Sequence, residues 1–232
     1  MFGVRFTRDK STPEAISFRT MRRAIGILGM ALPVILFVWS VLLTGGHFLL
    51  DSISSYYHTN VRDIFVGTLC AVSLFLFAYH GYNKVDFIAF KIAGASALGV
   101  AFFPAFIKSP ENPWVHIMPN VSGLTNTVHY ISAAIFFTTL AFVCLFLFTR
   151  SGQGVRFASL SKRKIIRNGI YIACGSIMLL CILSMLVFNF IPDGSPFLSL
   201  DPVFWVETIA LFAFATSWLV KGEVVFKDKI TG

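Results

Sequence analysis

Six apolar stretches, each about twenty residues long, occupy most of the chain, at 24–45, 63–82, 87–106, 127–148, 169–190 and 203–221. A helix gains about 1.5 Å per residue, so crossing the ~30 Å hydrocarbon core of a bilayer takes roughly 20 mainly apolar residues. Inside lipid the backbone has no water to bond, and only structures that satisfy their own N–H and C=O groups persist. These stretches therefore predict an all-α polytopic membrane protein. A six-helix transmembrane bundle would fill 24–222, with a basic N-terminal segment at 1–23 and a short tail at 223–232. Composition excludes the alternatives. Hydrophobic residues make up 56% of the 232 and charged residues 13%, and mean hydropathy is +0.77. A soluble domain carries about 25% charged residues, and a disordered chain is poorer still in apolar ones.

Charge sets the expected orientation. The net charge is +8, and seventeen of the nineteen Lys and Arg residues fall on one side of the predicted spans. Only Arg62 and Lys108 fall on the other. The positive-inside rule then puts both termini in the cytoplasm and the loops at 46–62, 107–126 and 191–202 outside. A bacterial inner membrane is the expected location. The basic balance follows from this topology, so membrane lipids are the expected partners and nucleic acid is not. The loop at 149–168 carries six basic residues and no acid, enough to attract anionic lipid at about 1 kcal/mol per residue near the surface.

Local signals fit this plan. The first span has a long charged lead and no small-residue cleavage pattern after it, so it reads as a retained signal anchor. Ser11, Thr12, Pro13 and Glu14 form a helix start. Pro33 removes a backbone donor in mid-span and predicts a kink, with Gly29 giving that turn room. Ala93, Ala97 and Ala101 recur every four residues, spacing that lets helices approach closely. Cys70, Cys144, Cys174 and Cys181 all lie in apolar runs and read as packing residues. The turn at 79–86 and Trp218 with Lys221 read as interfacial anchors. There is no phosphate-binding loop, dinucleotide fingerprint or nucleophile elbow, which removes support for a nucleotide-driven pump or an α/β-hydrolase.

Ionisable residues inside a span cost about 2.5–3.5 kcal/mol on insertion scales, so they mark functional candidates. Asp63, His129 and Glu207 each stand near the start of a span that runs inward, within roughly 6 Å of one depth. The preceding loop adds Ser54, Tyr56, Tyr57, His58 and Arg62, and the other outer loops add Glu111, Trp114, His116, Asp193 and Asp201. Three readings follow. One is an outward-facing pocket for a lipid headgroup or small polar ligand, lidded by 52–62, with Arg62 on an anionic group and Tyr56 and Tyr57 against the ligand. Another is a metal-dependent intramembrane hydrolase for lipid amide or ester bonds. There Asp63, His129 and Glu207 would be the catalytic candidates, and His58, Asp63, His129 and Glu207 would bind zinc. The third is a polar network that only fixes helix packing, as in a structural subunit of a membrane complex.

Several short motifs carry a resemblance: the run Ser52 to Tyr57, Arg62 to Gly67, Phe102-Phe103-Pro104, His129-Tyr130 with Phe136-Phe137, and Ser217 to Gly222. Together they resemble bacterial six-helix integral membrane proteins of no assigned activity. They are more distantly similar to the DRAM/Sfk-type class, in which a serine-containing loop follows the first span. The resemblance implies a six-helix α fold. Ser54, His58, Asp63 and His129 are also similar to the Ser, Asp and His set of the zinc-dependent superfamily that includes alkaline ceramidases and progestin/adipoQ-type receptors. The paired histidines of that superfamily's last helix are missing here, where Glu207 stands instead, and six spans replace seven.

Overall fold

The computed structural model describes residues 13–44, 49–107, 114–116, 121–150, 161–188, 190–192 and 195–224. The predicted helix cap at Ser11 and Thr12, the loop residues Lys108, Glu111 and Asp193, and most of the C-terminal tail lie outside them. Among the described residues there is no strand. Six helices follow in order: α1 Pro13–Thr44, α2 Arg62–Ala78, α3 Lys84–Phe102, α4 Gly123–Phe142, α5 Lys162–Phe188 and α6 Pro202–Lys221. A π-helical turn, Val143–Phe148, continues α4. Five of the six are long and apolar enough to cross a membrane, which gives the chain the build of a multi-pass membrane protein. The sixth, α2, has 17 residues and reaches about 25 Å.

Each helix packs on its neighbours in the chain, and α6 packs back on α1, so the six close into a ring. Consecutive helices alternate in direction, so that Arg22 near the start of α1 meets Tyr79 just past α2, and Asp86 at the start of α3 meets Arg150 just past the continuation of α4. One end of the ring carries residues 49–61 and is called the loop end below; the opposite, basic end carries Arg22, Arg150 and Lys221. Inner faces follow the helical period. Phe65, Leu69, Val72 and Leu76 of α2 are all buried, as are His129, Phe136 and Leu140 of α4. Phe214 and Trp218 continue the line of Glu207 and Leu211 on α6. These residues recur at steps of three and four, the spacing of one helix stripe.

Small residues set the closest approaches. Ala93, Ala97 and Ala101 have no exposed surface, as the four-residue spacing predicts. Gly26 and Gly29 of α1 face α6, where an added Cβ would stand 2.7 Å from Leu219 and 2.7 Å from the Phe214 ring. Gly29 thus serves the α1–α6 contact. Pro33 stays within α1. Gly99 of α3 lies against Ser132 of α4, leaving no space for a side chain. Gly29→Leu is expected to cost about 1–3 kcal/mol by overpacking, read as a lower thermal midpoint in detergent. Gly67, with nothing near its Cβ position, is the control, where Gly67→Leu should leave the midpoint near wild type.

Candidate functional site

The loop-end segment does not arch over the bundle as a lid. It folds into it: Leu50, Ile53, Tyr56, Tyr57 and Val61 are buried, and the 3-10 turn Ser54–His58 is buried throughout. Apolar residues at 50, 53 and 56 give that segment one inward stripe at the three-residue period of a 3-10 helix. Aromatic rings seat it, with Tyr56 against Trp39 at 6.0 Å and Phe204 at 6.2 Å, and the Tyr56 and Ser40 hydroxyls share a hydrogen bond. Burial pushes the Tyr56 phenol above its ordinary range, so it stays protonated at neutral pH.

A buried turn must satisfy its backbone, and the polar residues singled out from the sequence do this work. The Glu207 carboxylate accepts from the Ile53 N–H at 2.6 Å and is also bonded by the Ser54 N–H. The Phe204 N–H donates to the Asp51 carbonyl at 3.1 Å. His58 Nε2 donates to the Ala105 carbonyl at 3.0 Å, and His129 Nδ1 donates to the Phe103 carbonyl at 2.7 Å. The last carbonyls of a helix have no partner within it, so the two histidines hold the chain as it leaves α3. The His116 N–H donates to the His58 carbonyl at 3.0 Å.

Two of the three intramembrane candidates meet. His129 and Glu207 line one cavity of about 50 Å³ together with Ser54, Ile53 and apolar residues of α1, α2, α3, α4 and α6. The rest of the wall includes Leu32, Leu69, Val100, Phe136 and Leu211. Asp63 is not part of it. It is exposed at the first turn of α2, two residues before Phe65, which puts it about 200° around the helix from that buried ring. A carboxylate there is stabilised by the helix N-terminus. Arg62 is also turned away: its guanidinium lies 4.3 Å from the centre of the Tyr57 ring and donates to the Tyr57 hydroxyl at 2.6 Å. The predicted role of Arg62 on an anionic ligand therefore has no counterpart in the cavity wall. Nor is the predicted zinc set gathered. Among the described residues no three His, Cys, Asp or Glu side chains stand close enough to hold a metal ion, so His58, Asp63, His129 and Glu207 do not fit one.

Two further acids stand at this end, Asp51 and Asp201. Asp51 accepts from the Ser55 hydroxyl at 2.6 Å. Asp201 stands just before α6 in the left-handed region, with φ 49° and ψ 51°. Burial, and then the charge of Asp51, push its carboxyl above the ordinary range. An acid whose pKa rises on folding is penalised in its ionised form, so stability falls as pH rises through its titration and is regained in acid. Asp201→Asn keeps a residue that tolerates this backbone. It is expected to melt higher than wild type at pH 7 and to lose that advantage in acid, where the wild-type carboxyl is neutral.

The basic end is more closely knit than an interfacial anchor. Asp86 is 3% exposed; its carboxylate pairs with Arg150 at 2.9 Å and accepts from the Tyr82 N–H at 2.9 Å. The Asn83 side chain caps α3 through the Asp86 N–H. Gly81, at φ +66°, makes the turn beside Asp86, where a Cβ would strike the Asp86 side chain. Arg22 donates to the Tyr79 hydroxyl at 2.9 Å. Trp218 is fully buried, not at a lipid interface as its position beside Lys221 predicted. Arg23 of α1 bonds the Gly222 carbonyl just past α6 at 3.0 Å. The four cysteines are free.

No known protein family, curated protein or solved structure matches this chain.

Proposed function

We propose that this chain is a six-span integral membrane protein that recognises a small polar ligand from the extracytoplasmic side, in the cavity shared by Glu207 and His129. The observation that carries the reading is that α4 and α6 deliver an imidazole and a carboxylate to one mainly apolar space, to which Ser54 adds a hydroxyl. Ligand sites combine apolar walls with a few placed polar groups in this way. The space of about 50 Å³ takes the end group of a ligand, given that about 10–15 Å³ of such space already holds a water. Its acid is not matched by a lysine or arginine in the wall, so the group that enters is a hydrogen-bond donor such as an ammonium or hydroxyl. The donor belongs to a free solute or to a lipid headgroup. One Glu207 oxygen holds the Ile53 N–H, and a carboxylate has about four acceptor sites, which leaves capacity for a ligand donor.

The orientation is part of this proposal. The basic end, with Arg19, Arg22, Arg23, Arg150 and Lys221, would face the cytoplasm, α2 would be the sixth span, and both termini would be inside. The six-helix resemblance is consistent with it. The test is calorimetry on protein in lipid nanodiscs, with ethanolamine, glycerol and inorganic phosphate as probes. Ethanolamine or glycerol should bind and phosphate should not. Glu207→Gln should weaken ethanolamine binding by about 10- to 100-fold, the value of a hydrogen bond to a charged group. Equal binding by Glu207→Gln, or no binding of either donor by wild type, would refute the reading.

A further inference from the structure

Four side chains of the loop-end segment form a single line of hydrogen bonds. The Ser55 hydroxyl donates to Asp51 Oδ1 at 2.6 Å. The Ser55 and Ser52 hydroxyls stand 2.7 Å apart, and those of Ser52 and Ser54 stand 3.1 Å apart. All three serines are buried, while Asp51 retains partial exposure. At the far end, Ser54 lines the cavity that holds Glu207 and His129. Local capping accounts for one of these hydroxyls: Ser52 Oγ accepts the Ser55 N–H at 3.1 Å, the usual service of a serine at a turn. It does not account for three in series between a carboxylate at the loop end and an interior carboxylate.

We propose that this serine line is a proton path between Asp51 and Glu207, which makes Glu207 a proton-binding site served from the loop end. Each hydroxyl has one proton to give and two lone pairs to receive with, so a proton moves by successive hops with no net change at any serine. When the proton leaves Glu207, its carboxyl O–H passes it across the cavity to Ser54 Oγ through a water, for which the volume suffices. Ser54 gives its own proton to Ser52, Ser52 to Ser55, and Ser55 to the Asp51 carboxylate, which ends as the acid. The observed bond from Ser55 to Asp51 has the polarity this direction needs. Ser52 then donates once and accepts twice, from Ser54 and from the Ser55 N–H, which uses its full capacity.

The charged and titratable groups around Glu207 are consistent with a single exchangeable proton. The loop presents Asp51, with Tyr56 and His58 behind it. From α4 come His129 and Tyr130, and Asp201 stands at the start of α6. Helices α1, α2 and α3 give the cavity only Leu32, Phe65, Leu69 and Val100. No lysine or arginine lines it, so no fixed cation holds Glu207 ionised.

The inference rests on the same assignment of the Glu207 cavity as the proposed function, but on no ligand. The experiment is infrared spectroscopy of the full chain in nanodiscs without any probe molecule. The protonated carboxyl stretch of Glu207 is assigned by its loss in Glu207→Gln, and its exchange is followed when water is replaced by deuterium oxide. Ser52→Ala and Ser54→Ala should each slow that exchange about tenfold, a barrier increase of about 1.4 kcal/mol, and Ser52→Thr, which keeps the hydroxyl, should restore it. Wild-type exchange in both alanine variants at an unchanged thermal midpoint would overturn the path. So would a carboxyl band that never appears as the sample is acidified. Should Ser52→Ala melt early, Ser54→Ala and Ser54→Thr carry the comparison alone. Failure of ethanolamine binding leaves this readout untouched, and failure of the exchange test leaves the binding result standing.

Discussion

Trp218→Ala is expected to lower stability by about 3–5 kcal/mol, the range for a buried Trp truncated to Ala. The indole sits at the centre of the basic end. Its ring lies in edge contact with Tyr79 at 5.7 Å, Phe90 at 5.8 Å and Phe148 at 5.4 Å, and near Phe214 at 6.2 Å. These rings belong to α3, to the π-helical turn after α4, to α6 and to the chain just after α2, so one truncation loosens most of the ring of helices. In a membrane the transfer of apolar surface contributes little between helices, because lipid is as apolar as the core. The loss is then of dispersion contacts around a void and of ring pairs worth about 0.5–1.5 kcal/mol each. The indole Nε1 has no hydrogen-bond partner among the described residues, so Trp218→Phe, which removes that donor and keeps a ring, is expected to cost less than Trp218→Ala because it leaves the smaller void. Unfolding in mixed detergent micelles measures both, and equal midpoints for wild type and Trp218→Ala would contradict the packing argument.

Glu207→Leu should release the loop-end segment. The substitution leaves the Ile53 and Ser54 N–H groups buried without an acceptor, at about 1–3 kcal/mol each. Glu207→Gln keeps a carbonyl oxygen in the same place and should hold the turn. Hydrogen exchange resolves the two: amides of residues 50–61 should lose protection in Glu207→Leu and keep most of it in Glu207→Gln, with the amides of α5 unchanged in both. Protection of 50–61 that is equal in all three proteins would show that the aromatic contacts of Tyr56 hold the segment by themselves. This comparison also separates the structural bond of Glu207 from its proposed binding roles, since the glutamine variant keeps the first while losing the charge that the proposals require.

Element type and helix positions were legible because membrane-length apolar runs admit one solution. The predicted spans at 127–148 and 203–221 fall within a residue or a turn of α4 with its continuation and of α6. Helix faces are legible in the three- and four-residue period. Glu207 is in step with Leu211, Phe214 and Trp218, and His129 with Phe136 and Leu140, whereas Asp63 is out of step with Phe65 and Leu69. Depth alone grouped Asp63 with the other two; rotation about the helix axis excludes it. The inward fold of 49–61 was harder to see. Serines, tyrosines and a histidine between two spans have the composition of an exposed loop, and the three-residue apolar stripe at 50, 53 and 56 is short. Which acceptor would meet Ile53, and that Asp86 and Arg150 would pair across 64 positions, depends on how the helices are arranged, which no local pattern encodes.

The closed ring has a consequence for how such a chain is made. Helices that emerge from the ribosome in order can pair as they arrive, since α2 through α5 each pack on the helix delivered just before, and contacts between sequence neighbours form fast. The glycine face of α1, at Gly26 and Gly29, is the exception. It is built for α6, which is synthesised after the other five described helices, and until then it must be left to lipid or to whatever insertion machinery shelters it. The loop-end turn waits as well, because its acceptor, Glu207, arrives on the same helix. The twenty residues of α6 therefore complete both the wall and the stopper, and a nascent chain halted before them would present an open seam along α1.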